Sequence, residues 1–416
     1  EVKARNIAEA KFFRAICYFE LTTLWGTPPL VDRVLKNSEE YKVPNSTAEQ
    51  LWTFMETDLT EAITSGKLTS KTSLEDRDGG TRATLEAARC LLGKIYLYQE
   101  KYADAKSELE KVISSGKYDL IADVSTFYHP ASAGCKEYVL ECVRHYDPSN
   151  MYSQEGWFGI LANWGFGYGF IAGPEASMHY KFNTTSGYSY FNPSKSLYDA
   201  FVAEEGADGY RLNAWIRTWE QVIAMNIAVN TTTNKYASEG YFRLKWLAST
   251  DDEFVGYWCG NQSNTPVIRY ADVLLMAAEA CLQAGDQAGA DEYLGRVRDR
   301  ARLPRKSHVT LSDIKLERRL ELAMEGMRFQ DLKRWGDAPA VLADKGKKLP
   351  TFQIVPDPNN DLTTAAGIYN ARYTTKTTYV DNEKSLAGWT PNRDEWLPFP
   401  ENELEVNSNL KQNPGY

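Results

Sequence analysis

Apolar positions in the first 25 residues recur three and four apart. In the run AEAKFFRAICYFELTTLWG, Phe12, Ala15, Ile16, Phe19 and Trp25 fall near one helical face, and Gly26 with Pro28 and Pro29 stops the helix. The next run, NSTAEQLWTFMETDLTEAITSG, opens with Ser46 and Glu49 at capping-box spacing and ends at Gly66. Two further helical periods follow in TLEAARCLLGKIYLYQEKYADAKSELEKVISSG, split only by QEKY. So short a turn requires the two helices to run antiparallel.

This helical pair has the marks of a repeat. Gly93, Tyr96, Ala105 and Leu109 sit at tetratricopeptide spacing, where small residues let paired helices approach closely. The run DVLLMAAEACLQAGDQAGADEYLGRV places Ala278, Ala290 and Leu294 at the same 12- and 16-residue offsets. Between the two lies a segment of different character. Short strand-like runs such as EYVLECVRHY alternate with Gly, Asn, Ser and Pro clusters, and helical patterning returns weakly at PSKSLYDAF and firmly at RYADVLLMAAEA. From Gly346 the chain is again irregular and proline-rich, yet it carries Trp389, Trp396 and Phe399, which predicts a tail that wraps the body. The expected architecture is mainly α, with little β structure. A single domain is expected, its helical repeat body formed by residues 1–120 and 262–345, with an irregular aromatic-rich insert at 121–261 and a C-terminal wrap at 346–416. Neither helical set alone buries both faces of its helices, so the two are expected to pack as one layer.

Charge narrows the function. Lys and Arg number 47 against 56 Asp and Glu, a net charge of -9 that argues against nucleic-acid binding. Six cysteines make no disulfide framework in 416 residues. Cys17, Cys90 and Cys281 read as buried thiols in apolar helices, while Cys135 and Cys142 pair with each other or with nothing. The uncharged run from Gly156 to Pro174 is rich in glycine and makes too poor a helix to span a bilayer.

Catalytic motifs are missing. There is no GxSxG elbow, no HExxH and no phosphate loop, and the four histidines are scattered. Asp357, Asn359 and Asp361 resemble the start of a calcium loop, but Leu362 and Ile368 occupy the glycine and bidentate-glutamate positions. A solvated turn is the better reading, and no metal or cofactor is expected.

The positive signal is an aromatic stretch. Twelve aromatics crowd the 41 residues from Met151 to Phe191, alongside seven glycines and only three formal charges. A pliant backbone carrying rigid rings and neutral amides suits a neutral polyhydroxylated ligand, whose C–H faces stack on rings while its hydroxyls meet amides. Trp157, Trp164, Tyr168, Tyr188 and Tyr190 are the candidate stacking surface, with Asn163 beside them as hydrogen-bonding partner. Trp258 and Trp389 mark the alternative positions.

Five ordered blocks together resemble the SusD/RagB-like outer-membrane lipoproteins of Bacteroidetes-type bacteria. They are AEAKFFRAICYFELTTLWGTPPLV, TLEAARCLLGKIYLYQEKYADA, PVIRYADVLLMAAEACLQAGD, ERRLELAMEGMRFQDLKRWG and LPFPENELEVNSNLKQNPGY. The resemblance implies a tetratricopeptide-like helical body with a loop-rich part, and a non-catalytic protein that binds glycans outside the outer membrane. It implies a SusC-like TonB-dependent transporter as partner and an N-terminal lipid anchor, whose cysteine and leading segment are not in this sequence. Glu317, Arg318, Arg319, Glu325 and Arg328 in the fourth block read as helix-packing ion pairs. Glycan contacts vary across the family, so the candidate residues rest on composition alone. Two other functions fit less well: a helical-repeat adaptor for peptides, needing an open groove, and a glycosidase, needing a carboxylate pair about 5 to 10 Å apart at the aromatic stretch.

Overall fold

The computed structural model describes residues 1–143, 192–218, 220–221, 235–236, 238–245, 264–356, 359, 373–384 and 386–416. Four helices lead: α1 (Val2–Trp25), α2 (Ala48–Thr64), α3 (Leu85–Tyr98) and α4 (Tyr102–Ile113). α2 does open on a capping box, one residue later than the spacing predicts. Thr47 accepts from the Gln50 N–H, and the Gln50 side chain reaches back to the Thr47 N–H. The Ser46 hydroxyl instead accepts the Leu30 N–H at 3.0 Å, which ties the loop before α2 to the end of α1.

Small residues bring α3 and α4 together. A Cβ added at Gly93 would lie 2.7 Å from Leu109 Cγ, so only glycine permits this approach. Ala105 and Leu109 are fully buried on the facing helix. The second hairpin, α7 (Tyr270–Gln283) with α8 (Gln287–Arg300), buries Ala278, Ala290 and Leu294 in the same way. One hydrophobic core joins both hairpins: Phe12 and Phe19 of α1, Leu51 and Met55 of α2, Leu91 of α3, Leu274 of α7 and Ile314 of α9 (Leu311–Glu321) belong to it. Cys90 and Cys281 are buried there, but Cys17 is exposed on α1. Its position is two residues beyond Ala15, about 200° around the helix and so away from the core. Cys135 and Cys142 are both free thiols.

A second core sits beside the first. It joins Val124, Phe127 and Tyr138 to Phe201 of α5 (Lys195–Glu205), Leu212 and Trp215 of α6 (Tyr210–Trp215), and Leu320 of α9. Strands are short here. β1 (Tyr138–Cys142) pairs antiparallel with β5 (Thr265–Arg269), and β2 (Ile216–Thr218) with β4 (Tyr241–Arg243).

The tail is more regular than its proline content predicts. After α10 (Arg328–Arg334) and α11 (Ala338–Val341), β6 (Lys348–Pro356) and β7 (Tyr373–Asp381) form a long antiparallel ladder from Lys348↔Asp381 to Pro356↔Tyr373. The two-residue β3 (Lys235–Tyr236) joins its other edge. Beyond it, with α12 (Glu401–Val406), the chain lies back on the front helices. Leu397 N–H donates to the Leu24 carbonyl at 2.8 Å, Asn413 Nδ2 to the Trp25 carbonyl at 2.9 Å and Trp25 Nε1 to the Pro398 carbonyl at 3.0 Å. Gly26 makes this fit possible. Its φ is +77°, and a Cβ there would lie 2.8 Å from the Trp396 ring. Among the described residues, no helix is long and apolar enough to cross a membrane.

Candidate functional site

Trp157, Asn163, Trp164, Tyr168, Tyr188 and Tyr190 all fall within 144–191, outside the described residues, and Trp258 within 246–263 lies outside them too. What is described is the frame that carries this stretch. The chain enters it from β1, where Tyr138 belongs to the second core, and leaves it into α5, where Leu197, Tyr198 and Phe201 pack on the same core. Both roots of the aromatic stretch are therefore fixed in one place.

Beneath that core lies a buried network of charges. Glu321 on α9 gathers three arginines: Arg211 Nη1 at 3.0 Å, Arg269 Nη1 at 3.1 Å, and Arg300. Arg269 and Arg300 also reach Glu137, at 2.7 and 3.1 Å, and Arg211 reaches Glu205 at 2.7 Å. Lys245 Nζ donates to the Glu321 and Ala323 carbonyls, each at 3.0 Å, and lies 3.8 Å from the centre of the Trp215 ring. Arg269 and Arg300 both face the Phe127 ring.

Burial and pairing compete within this network. Burial alone pushes the Glu321 carboxyl up, but Arg300, Arg269, Arg211 and Lys245 outweigh it and hold the group far below the usual range. For Glu137 burial prevails, and its carboxyl is raised despite Arg300 and Arg269. Lys245 is pushed down to about 8 by burial, against the pull of Glu325. An interior of this kind holds β1, β5, α6 and α9 in one arrangement, because displacing any member strands a buried charge.

The described surface adds an apolar groove of about 540 Å³ between the end of α1 and the tail, with Trp25, Tyr41, Phe399 and Pro400 on its walls. Two of its polar side chains are engaged elsewhere: Trp25 Nε1 binds the Pro398 carbonyl, and Asn407 Nδ2 donates to the Val43 carbonyl at 2.7 Å. Trp389 is half-buried and packs its ring near Phe329, 6.5 Å between centres. Of the calcium-like turn only Asn359 is described, and it is exposed. Glu110, Cys281 and Asp286 do gather within 4.8 Å of one another. Their chemistry is poor for a metal, however. Lys106 already sits 2.7 Å from Asp286, and burial, helped by Glu110 and Asp286, pushes the Cys281 thiol up to about 12.

The fourth sequence block needs one correction. Glu317, Arg318 and Glu325 form the expected ion pairs: Arg298–Glu317 at 3.0 Å, Arg318–Asp272 at 2.7 Å and Arg269–Glu325 at 2.7 Å. Arg319 and Arg328 pair with no carboxylate among the described residues. Both line a cavity instead. Sequence reading had the charges but not which acid lies in reach.

The sequence profile of the SusD family matches residues 136–416, and the chain belongs to that family. A SusD-like protein of Bacteroides ovatus is 25% identical over 443 aligned positions, covering 99% of this chain and 74% of its own. Among solved structures, a laminarin-binding SusD-like protein superposes with a TM-score of 0.75 at 28% identity, covering 98% of this chain and 78% of its own. Surface glycan-binding protein A from Bacteroides thetaiotaomicron, in complex with laminarihexaose, superposes with a TM-score of 0.73 at 25% identity over 99% of this chain and 78% of its own. The helix-rich fold with little strand is shared with these structures.

Proposed function

We propose that this chain is a non-catalytic glycan-binding protein whose ligand is a neutral oligosaccharide of the β-glucan type. The observation that carries the reading is the likeness, over nearly the whole chain, to a structure in complex with laminarihexaose. The aromatic, glycine-rich and nearly uncharged composition of residues 151–191 supports it, since stacked rings and amides are what a neutral sugar requires. Trp157, Trp164, Tyr168, Tyr188 and Tyr190 form the stacking surface in this proposal, with Asn163 hydrogen-bonding beside them. The protein works on the outer face of the outer membrane, held by an N-terminal lipid, and passes its ligand to a SusC-like TonB-dependent transporter. A broad helical face binds that partner.

A glycan array followed by calorimetry with laminarihexaose tests the ligand. Binding in the micromolar to millimolar range is expected, equivalent to about 4 to 8 kcal/mol. No binding to any neutral glycan on the array overturns the reading. Turnover of the bound oligosaccharide would replace binding with catalysis. Co-purification from outer membranes tests the partner, and repeated recovery without any TonB-dependent protein removes it.

A further inference from the structure

Arginines in the helical return are nearly all paired. Arg298, Arg300, Arg318 and Arg334 each reach a carboxylate. Among the described residues Arg319 donates only to neutral acceptors, the Ser196 carbonyl at 3.0 Å and the Ser196 hydroxyl at 2.8 Å. Arg328 is half-buried and has no ion pair or hydrogen bond among the described residues. Burial disfavours both charges, and the nearness of Arg319 disfavours that of Arg328 further, outweighing the smaller pull of Asp331 and Asp337. Half-buried cations side by side are costly unless an anion answers them.

The space for that anion is present. Arg319 and Arg328 line one cavity of about 340 Å³, together with Ser194, Ser196, Met324 and Leu342. Arg318 and Asp331 also face it, but they are bound to each other at 2.9 Å, and Asp331 receives a further bond from Arg334 at 2.9 Å. Asp337 nearby is held by Lys315 at 2.7 Å. At the start of α5, Glu239 accepts the Lys195 N–H and the Tyr379 hydroxyl. Among the described residues these acids are paired elsewhere, and the two guanidinium groups without a carboxylate partner leave a surplus of positive charge in the cavity.

We propose that this cavity binds a phosphate monoester, its dianionic head between Arg319 and Arg328 and beside the Ser194 and Ser196 hydroxyls, its organic body against Met324 and Leu342. Two cations match a dianion, and guanidinium forks suit phosphate oxygens. The cavity is roughly ten times the ~30 Å³ share of one water molecule, so it has room for more than the head group. This site stands apart from the glycan reading and does not depend on it.

Calorimetry of the full chain with phenyl phosphate, inorganic phosphate and sulfate is the test. Phenyl phosphate is expected to bind several-fold more tightly than inorganic phosphate at pH 7.5. Its affinity should fall several-fold at pH 5.5, below the second phosphate pKa of about 6, while sulfate, a dianion throughout, binds equally at both. Arg319→Gln and Arg328→Gln should each weaken phenyl phosphate at least tenfold, and Arg328→Lys less. Where a glutamine variant does not fold, phenylglyoxal labelling of the wild-type chain replaces it: phenyl phosphate should protect Arg328, read by peptide mass spectrometry. Three results overturn the site: no binding at millimolar concentration, affinity unchanged in both folded variants, or no protection of Arg328. Equal affinity for inorganic and phenyl phosphate overturns the monoester assignment in favour of the free anion.

Discussion

Arg269 and Glu325 meet as a two-bond fork, Nε to Oε2 at 2.9 Å and Nη2 to Oε1 at 2.7 Å. Arg269 ends β5, and Glu325 lies just beyond α9, 56 residues on. The fork therefore closes the strand that follows residues 246–263 onto the helical body. Glu325→Gln keeps the shape but removes the charge, leaving Arg269 and Lys245 short of an anion. A loss of about 3 to 5 kcal/mol is expected in chemical denaturation. The double variant Arg269→Met/Glu325→Met should lose less than the sum of its single changes. A Glu325→Gln protein as stable as wild type would remove the network's structural role.

Lys245 gives this interior a signature in alkali. Its folded pKa of about 8 lies below the usual 10.5, so the unfolded chain holds the extra proton between those values. Stability contributed by this group rises with pH across that window. Measured against Lys245→Met, wild type should gain about 2 to 3 kcal/mol between pH 8 and 10.5. A difference that stays flat or falls would show that the lysine is not held this way.

Asp313 supplies the acid counterpart. It completes a capping box on α9 with Thr310 and lies 2.8 Å from Lys306. Burial works against its charge, but Lys306 and Thr310 prevail and hold its carboxyl at about 2, below the usual 3.8. Its contribution is present above pH 4 and is lost as pH falls towards 2. Asp313→Ala should cost about 1 to 2 kcal/mol at pH 7, and the gap to wild type should close on acidification. A gap independent of pH would point to helix propensity instead.

Gly93→Ala pits two effects against each other. Alanine favours a helix by about 1 kcal/mol, but its Cβ would meet Leu109. Overpacking of this kind costs about 1 to 3 kcal/mol, so net destabilisation is expected. Leu109→Ala in the same chain should make the Gly93→Ala change favourable. Additive losses in the double variant would mean that the two helices do not meet at this point.

In the proposed glycan site, each ring under a sugar hides roughly 50 to 100 Å² of apolar surface, worth about 1 to 2 kcal/mol. Trp164→Ala and Tyr168→Ala should each weaken laminarihexaose binding by about tenfold, read by calorimetry on folded protein. Unchanged affinity in both would shift the site towards Trp258 or Trp389.

Some features were legible because spacing alone carries them. Gly93, Ala105 and Leu109 announce a close helical hairpin, and Ala278, Ala290 and Leu294 announce its repeat. The α2 cap slipped from Ser46 to Thr47 because two hydroxyls stand in a row and tertiary contacts decide between them: Leu30 takes the first. The β6–β7 ladder was hidden by Pro350 and Pro356 and by a partner strand, YTTKTTYVD, of mostly polar residues. β6 is the middle strand of its sheet, but β3 pairs only with Thr351 and Phe352, so Pro350 and Pro356 stand where one side of β6 has no partner strand among the described residues and no ladder N–H is needed there. For Arg319 and Arg328 the sequence shows only charge. Whether an arginine is neutralised depends on a carboxylate brought from elsewhere by the fold.

The tail that lies on α1 also has a kinetic meaning. The carbonyls of Leu24 and Trp25 take their partners from Leu397 and Asn413, more than 370 positions later in the chain. Such closures have a high entropic cost and come late, after local hairpins have formed. During synthesis the last turn of α1 faces water until residues 397–413 have emerged. Sealing that turn therefore depends on the tail: without it the groove walled by Phe399 and Pro400 does not form, and Trp25 stays uncovered.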